Sequence, residues 1–162
     1  MSQSAERQKQ ALMCLMQETS VEVTPPGAAK IQDFAEILRP GCKVYVTFLP
    51  GSDFADTIET VRRLQEDGYH PVPHFAARSL VSAKLFERYL AVLKGELGIT
   101  EGLLVGGGVD KPLGDFGSSI EVLRTGLFEK YGFTNLGLAG HPEGSPDIPA
   151  ADCAQAIREK NE

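Results

Sequence analysis

The chain has 162 residues, of which 42% are hydrophobic and 23% charged, and it carries a formal net charge of -6. A chain of this length can bury one sizeable core, and it has no continuous apolar run of the roughly 20 residues that a membrane span needs. It also lacks the clustered Lys and Arg that a nucleic-acid backbone demands, so neither a membrane nor a nucleic acid is an expected partner.

Residues 1–7 are polar and lack the apolar stretch of a secretory signal, which predicts a cytoplasmic protein. Cys14, Cys42 and Cys153 stand singly, so neither a disulfide framework nor a zinc site is expected. In residues 4–17, Ala11, Leu12, Leu15 and Met16 recur at helical spacing. This predicts a leading helix packed on one end of the sheet that follows.

Strand-like runs come next at 20–24, 43–49, 70–76, 101–107 and 135–140, separated by helical patterns near 28–38, 53–67, 82–97, 118–131 and 150–161. Gly41, Gly68, Gly98 and Gly132 each fall just past a helix, where a left-handed cap is easiest for glycine. Ser118 and Glu121 have capping-box spacing at the fourth of these helices. The only repeat is this βα unit, which implies one domain over 1–162, with βα units filling 20–162.

Two α/β architectures accommodate five βα units: a complete doubly wound sheet, or part of a (β/α)8 barrel, which takes about 250 residues in full. Central doubly wound strands are apolar on both faces. The first strand instead alternates, with Val21 and Val23 on one face and Ser20, Glu22 and Thr24 on the other. The third puts Val72, His74 and Ala76 together. That pattern favours a partial TIM-type barrel with helices outside and a polar lumen. The last residues, 158–162, stop mid-helix by pattern, so the chain is expected to be the first part of a longer barrel. The unpaired strand edges this would leave allow a homo-oligomer.

In folds of parallel strands the chemistry collects where strands hand over to helices. Glu22, flanked by valines inside a strand, is either a general acid or one half of a structural ion pair with a lumen Lys or Arg. His74 near a strand end is either a ligand-binding imidazole or a hydrogen-bonded core residue. Gly106, Gly107 and Gly108 let a flat ligand approach the backbone, or simply make a tight turn. Asp110 and Asp115 follow, each a catalytic, turn-forming or capping candidate, with capping favoured for Asp115. His141 and Glu143 lack a third ligand at a recognisable spacing, so no metal is expected.

Taken together, residues 20–26, 46–48, 73–75, 104–108 and 139–146 resemble, in order and spacing, successive strand ends of the methylenetetrahydrofolate reductase family. The resemblance spans about residues 18–150. It implies an FAD-containing (β/α)8 barrel that uses NADH or NADPH to reduce 5,10-methylenetetrahydrofolate to 5-methyltetrahydrofolate, in one-carbon and methionine metabolism. By resemblance, Glu22 is the acid that protonates the folate N10 and opens the ring to an iminium. Thr47 and His74 contact the flavin, and Gly106, Gly107 and Gly108 lie against it. Phe116 and Gly117 sit near the adenosine end, and His141 takes a position usually held by an aromatic neighbour of the flavin.

The chain also departs from the family. Many members have Arg-Gly-Asp where this chain has Gly106-Gly107-Gly108, and Asp110 is the candidate to replace the aspartate missing at Gly108. Ser145 stands where a histidine is usual, and the folate positions of later strands lie beyond Glu162. These departures leave two alternatives: a flavin-free barrel enzyme or small-molecule binder on the same scaffold, and a non-catalytic partial barrel acting through assembly.

Overall fold

The computed structural model describes residues 3–17, 19–146 and 148–161. Its elements are α1 (Gln3–Gln17), β1 (Val21–Val23), α2 (Pro25–Ala28), β2 (Lys43–Val46), α3 (Phe54–Glu66), β3 (His70–Ala76), α4 (Ala83–Gly95), β4 (Glu101–Val105), α5 (Ser119–Arg124), α6 (Leu127–Lys130), β5 (Asn135–Leu138) and α7 (Ala150–Lys160). The five strands form one parallel sheet in the order β1-β2-β3-β4-β5. Sequential order has no reversal, so this sheet lacks the switch point that defines a doubly wound one.

The alternation along each strand sorts the sheet into two unlike faces. Val21, Val23, Val44, Val46, Phe75, Leu104, Leu136 and Leu138 belong to a single core cluster or pack against it, together with Val61 and Leu64 of α3 and Phe86, Leu90 and Leu93 of α4. The register carries Glu22 to Tyr45, Tyr45 to Val72, and His74 to Leu103, all on the opposite face. None of those residues enters the core cluster. Near the amino end of this second face Lys43 Nζ lies 2.5 Å from Glu101 Oε1. That hydrogen bond holds the lysine pKa above its ordinary value.

Several helix ends follow the sequence signals. Gly41, Gly68, Gly98 and Gly132 have φ of 68, 82, 67 and 70°. Ser118 Oγ accepts from Glu121 N at 3.4 Å, while Glu121 Oε2 reaches back to Gly117 N at 2.6 Å. The box therefore closes one residue earlier than its standard form.

Four expectations about the elements are corrected. The helix expected over 28–38 is only Pro25–Ala28 followed by a 3-10 turn at Phe34–Glu36. Arg63 of α3 donates to the carbonyls of Ala28, Ile31 and Gln32 and lies 4.9 Å over the Phe34 ring. The Ile31 and Gln32 carbonyls are thus satisfied by a guanidinium rather than by a helix, while that of Ala28 also accepts from Ile31 N at 3.1 Å. The helix expected over 118–131 is two short helices, divided at Gly126, whose φ is 67°. Finally, Leu12, Leu15 and Met16 of α1 are exposed, so its apolar stripe is not packed on the sheet. Most strands also end before their expected limits, at Val23, Val46, Val105 and Leu138.

Among the described residues, no helix is long and apolar enough to cross a membrane.

Candidate functional site

The carboxyl ends of β1, β2 and β3 bring Glu22, Thr47 and His74 to one region of the face opposite the core cluster. Thr47 continues the β2 ladder by one bond, its N–H donating to Val23 O at 3.0 Å. Its hydroxyl donates to Glu22 Oε1 in a short hydrogen bond. Glu22 is exposed, and no described Lys or Arg pairs with it. The ion pair expected of a structural glutamate is made by Glu101 instead, leaving the Glu22 carboxyl oriented by a hydroxyl and open to solvent.

His74 is only 7% exposed, yet its Nε2 has no hydrogen-bond partner among the described residues. Its ring meets Tyr45 edge to face, with centroids 5.8 Å apart. Burial lowers the imidazole pKa below 6.5, and the nearby Glu22 charge opposes this only in part. A core histidine is normally hydrogen-bonded, and an orphaned buried nitrogen calls for an explanation such as a ligand atom.

The sign of the resulting pH dependence follows from linkage. The unfolded chain protonates His74 first as the pH drops below about 6.5, so stability present above that value is lost as pH falls towards the folded pKa. Urea unfolding between roughly pH 5 and 8 should show this loss, and His74→Gln should flatten the slope. An unchanged slope in the variant would assign the acid sensitivity elsewhere.

Beyond β3 the chain turns through Ala77–Ser79, and Arg78 N donates to Gly106 O at 3.0 Å. Gly107 has φ of 91°, and a Cβ there would come within 3.3 Å of Ala76 Cβ. At Gly106 and Gly108 no atom of the described residues other than their chain neighbours lies within 4 Å of where a Cβ would stand, so a ligand can approach the backbone at both. A cavity of about 430 Å³ opens beside this turn. Its walls include Arg78, Gly106, Gly117, Ser119, His141 and Lys160, from the ends of β4 and β5 and from α5 and α7. The volume is within the usual range for small-molecule sites.

The remaining candidates divide. Gly117 and His141 line the cavity, while the Phe116 side chain is buried in the core and does not. Asp110 is exposed on the loop after β4. Asp115 Oδ2 accepts from Ala83 N at 2.9 Å, so it caps the start of α4, a capping role that spans 32 residues. Among the described residues no group of three or more His, Cys, Asp or Glu is placed to hold a metal ion. Two residues of this region were not singled out by sequence: Tyr45, whose alternation with Lys43 and Thr47 was the available signal, and Arg78, which had none beyond its place at a strand end.

These residues fit a flavin dinucleotide in kind. The fit rests on the orphaned His74 nitrogen for a polar ring edge, the open backbone at Gly106 and Gly108 for a flat ring, and the adjoining cavity for a nucleotide arm. No protein-family model matches the chain.

Proposed function

We propose that this chain carries the cofactor half of a flavin-dependent reductase like the methylenetetrahydrofolate reductases, built on five units of a (β/α)8 barrel. The observation that carries the reading is Glu22 on its Thr47 hydroxyl, on the same face, opposite the core cluster, as a buried His74 whose Nε2 has no partner among the described residues. Support for the barrel comes from the sequential strand order and from that face, which contributes nothing to the helix-packed core.

Flavin, when bound, supplies hydride transfer from NADH or NADPH to a methylene group on the folate. The chain's own residues bind, orient and protonate. Thr47 fixes the Glu22 carboxyl, which can hold a proton for the substrate nitrogen that leaves the methylene carbon. Neutral His74 offers Nε2 to a polar ring edge without placing a second cation there. Gly106 and Gly108 leave room for a planar group, and Asp110 is exposed on the adjoining loop for a contact with the substrate.

The visible absorption spectrum of the purified chain with and without added FAD tests this reading. Bound FAD, giving the bands of protein-held oxidised flavin, is the expected result. A well-folded chain that binds none would overturn it in favour of a flavin-free binder on the same scaffold.

A further inference from the structure

The loop from β4 to α5 carries the open backbone at Gly106 and Gly108 and the exposed carboxyl of Asp110. It has little structure of its own. Among the described residues no main-chain hydrogen bond joins two positions within 106–117. Nothing inside the loop therefore fixes where Asp110 stands, and an unfixed acid must be ordered each time it meets a substrate.

Arg78, just past β3, supplies what the loop lacks. Its backbone N–H donates to Gly106 O at 3.0 Å and its carbonyl accepts from Leu113 N at 2.8 Å. Its guanidinium donates through Nε to Gly117 O at 3.0 Å and through Nη1 to Val109 O at 3.4 Å. Those two carbonyls are the ends of the excursion 109–117, so one planar group closes it into an Ω-type loop. Arg78 is half-buried and forms no ion pair among the described residues, so carbonyl dipoles compensate its charge. Hydrogen bonds from a charged donor are stronger than those between neutral groups. The peptide whose carbonyl Nη1 holds is the one that leads directly into Asp110. The middle of the loop is pressed onto the same segment, since Asp115 Oδ2 accepts from Ala83 N at 2.9 Å and a Cβ at Gly114 would lie 1.9 Å from Val81 O.

We propose that Arg78 is a positioning residue for Asp110, acting by bridging the Val109 and Gly117 carbonyls so that the ends of the loop stay together. The closed loop follows from the hydrogen bonds alone, while the contact between Asp110 and a substrate rests on the reductase reading. Lysine is no substitute here. It keeps the charge but has no planar fork with two donors fixed to meet both carbonyls.

Amide hydrogen exchange of the full chain tests the closed loop. In Arg78→Met the amides of 107–117 should exchange about tenfold faster or more, as for a lost charged hydrogen bond, while those of the five strands hold their rates. Arg78→Lys should match Arg78→Met. Rescue by lysine would show that charge rather than bridging matters, and would overturn the proposal. Single-turnover kinetics test the action through Asp110. Arg78→Lys should slow the folate half-reaction by about tenfold or more and leave NAD(P)H-driven flavin reduction within about twofold. Asp110→Asn should slow the same half-reaction, and the double variant should be no slower than Asp110→Asn alone. Multiplying effects would mean that Arg78 acts by another route, overturning the proposal and sparing the reductase reading. An unaltered chain that reduces no folate would remove the reductase reading and the role of Asp110 with it, whereas the exchange results would still decide whether Arg78 closes the loop. Should the Arg78 variants fail to fold, the unaltered protein decides: the Arg78 Nε–Hε proton should be protected from exchange by Gly117 O, and free exchange would overturn the bridge.

Discussion

Under the proposed reductase function, replacing Glu22 by Gln is expected to slow folate reduction by about 10²–10⁴-fold, the range of a positioned general acid. The half-reaction in which NAD(P)H reduces bound flavin should stay within about twofold, because no proton is needed from this side chain there. The substitution isolates chemistry from structure. Glu22 is exposed, and a glutamine Oε1 can still accept the Thr47 hydroxyl proton that Glu22 Oε1 accepts now. Stability should therefore change by no more than about 0.5 kcal/mol, as at most exposed positions. Single-turnover measurements of the two half-reactions decide the matter. Equal loss of both would mean that Glu22 shapes the flavin site rather than supplying a proton. Unchanged folate reduction would move the acid to another group, with exposed Asp110 the first to replace.

Period-two alternation placed Glu22 and His74 on one face because it needs only local information, and a parallel sheet in sequential order keeps that face common to all five strands. Glycine caps were legible for the same reason, since a left-handed residue past a helix is a local requirement. Features set by distant partners were not. The segment after β1 carries helical spacing, but Arg63 takes its carbonyls from more than 30 residues away. The α5–α6 break turns on one glycine inside an otherwise continuous pattern. Spacing in α1 promises an amphipathic helix but says nothing about whether its stripe is covered. The same limit applies at the site. Phe116 and Gly117 are adjacent in sequence, yet one ring enters the core while the other backbone lines the cavity. The anchored state of Arg78 depends on carbonyls at Val109 and Gly117 that strand periodicity does not predict.

Phe75→Ala should be the most destabilising single change, costing about 3–5 kcal/mol and lowering the melting midpoint by roughly 6–20 °C. Phe75 is fully buried, and its ring meets those of Phe86, Tyr89, Phe128 and Phe133 edge to face at centroid distances of 5.0–5.7 Å. Alanine would leave a void that rings from α4, α6 and the turn before β5 must all move to fill, and rigid aromatics collapse poorly. The ring also explains the glycine in β4: a Cβ at Gly102 would lie 2.3 Å from Phe75 Cε2. Gly102→Ala alone should therefore destabilise by about 1–3 kcal/mol, through overpacking against a ring with nowhere to go. In the Phe75→Ala background that methyl enters vacated space, so the same substitution should be nearly neutral or stabilising. Denaturant unfolding of the two single variants and the double variant measures the coupling. Additive costs would show that the ring and the strand do not share this space, and that β4 is held against the helices by something other than the aromatic cluster. A large favourable coupling would make Phe75 the packing pivot of the sheet, with its neighbour His74 presented on the opposite face because the ring fixes that turn of β3.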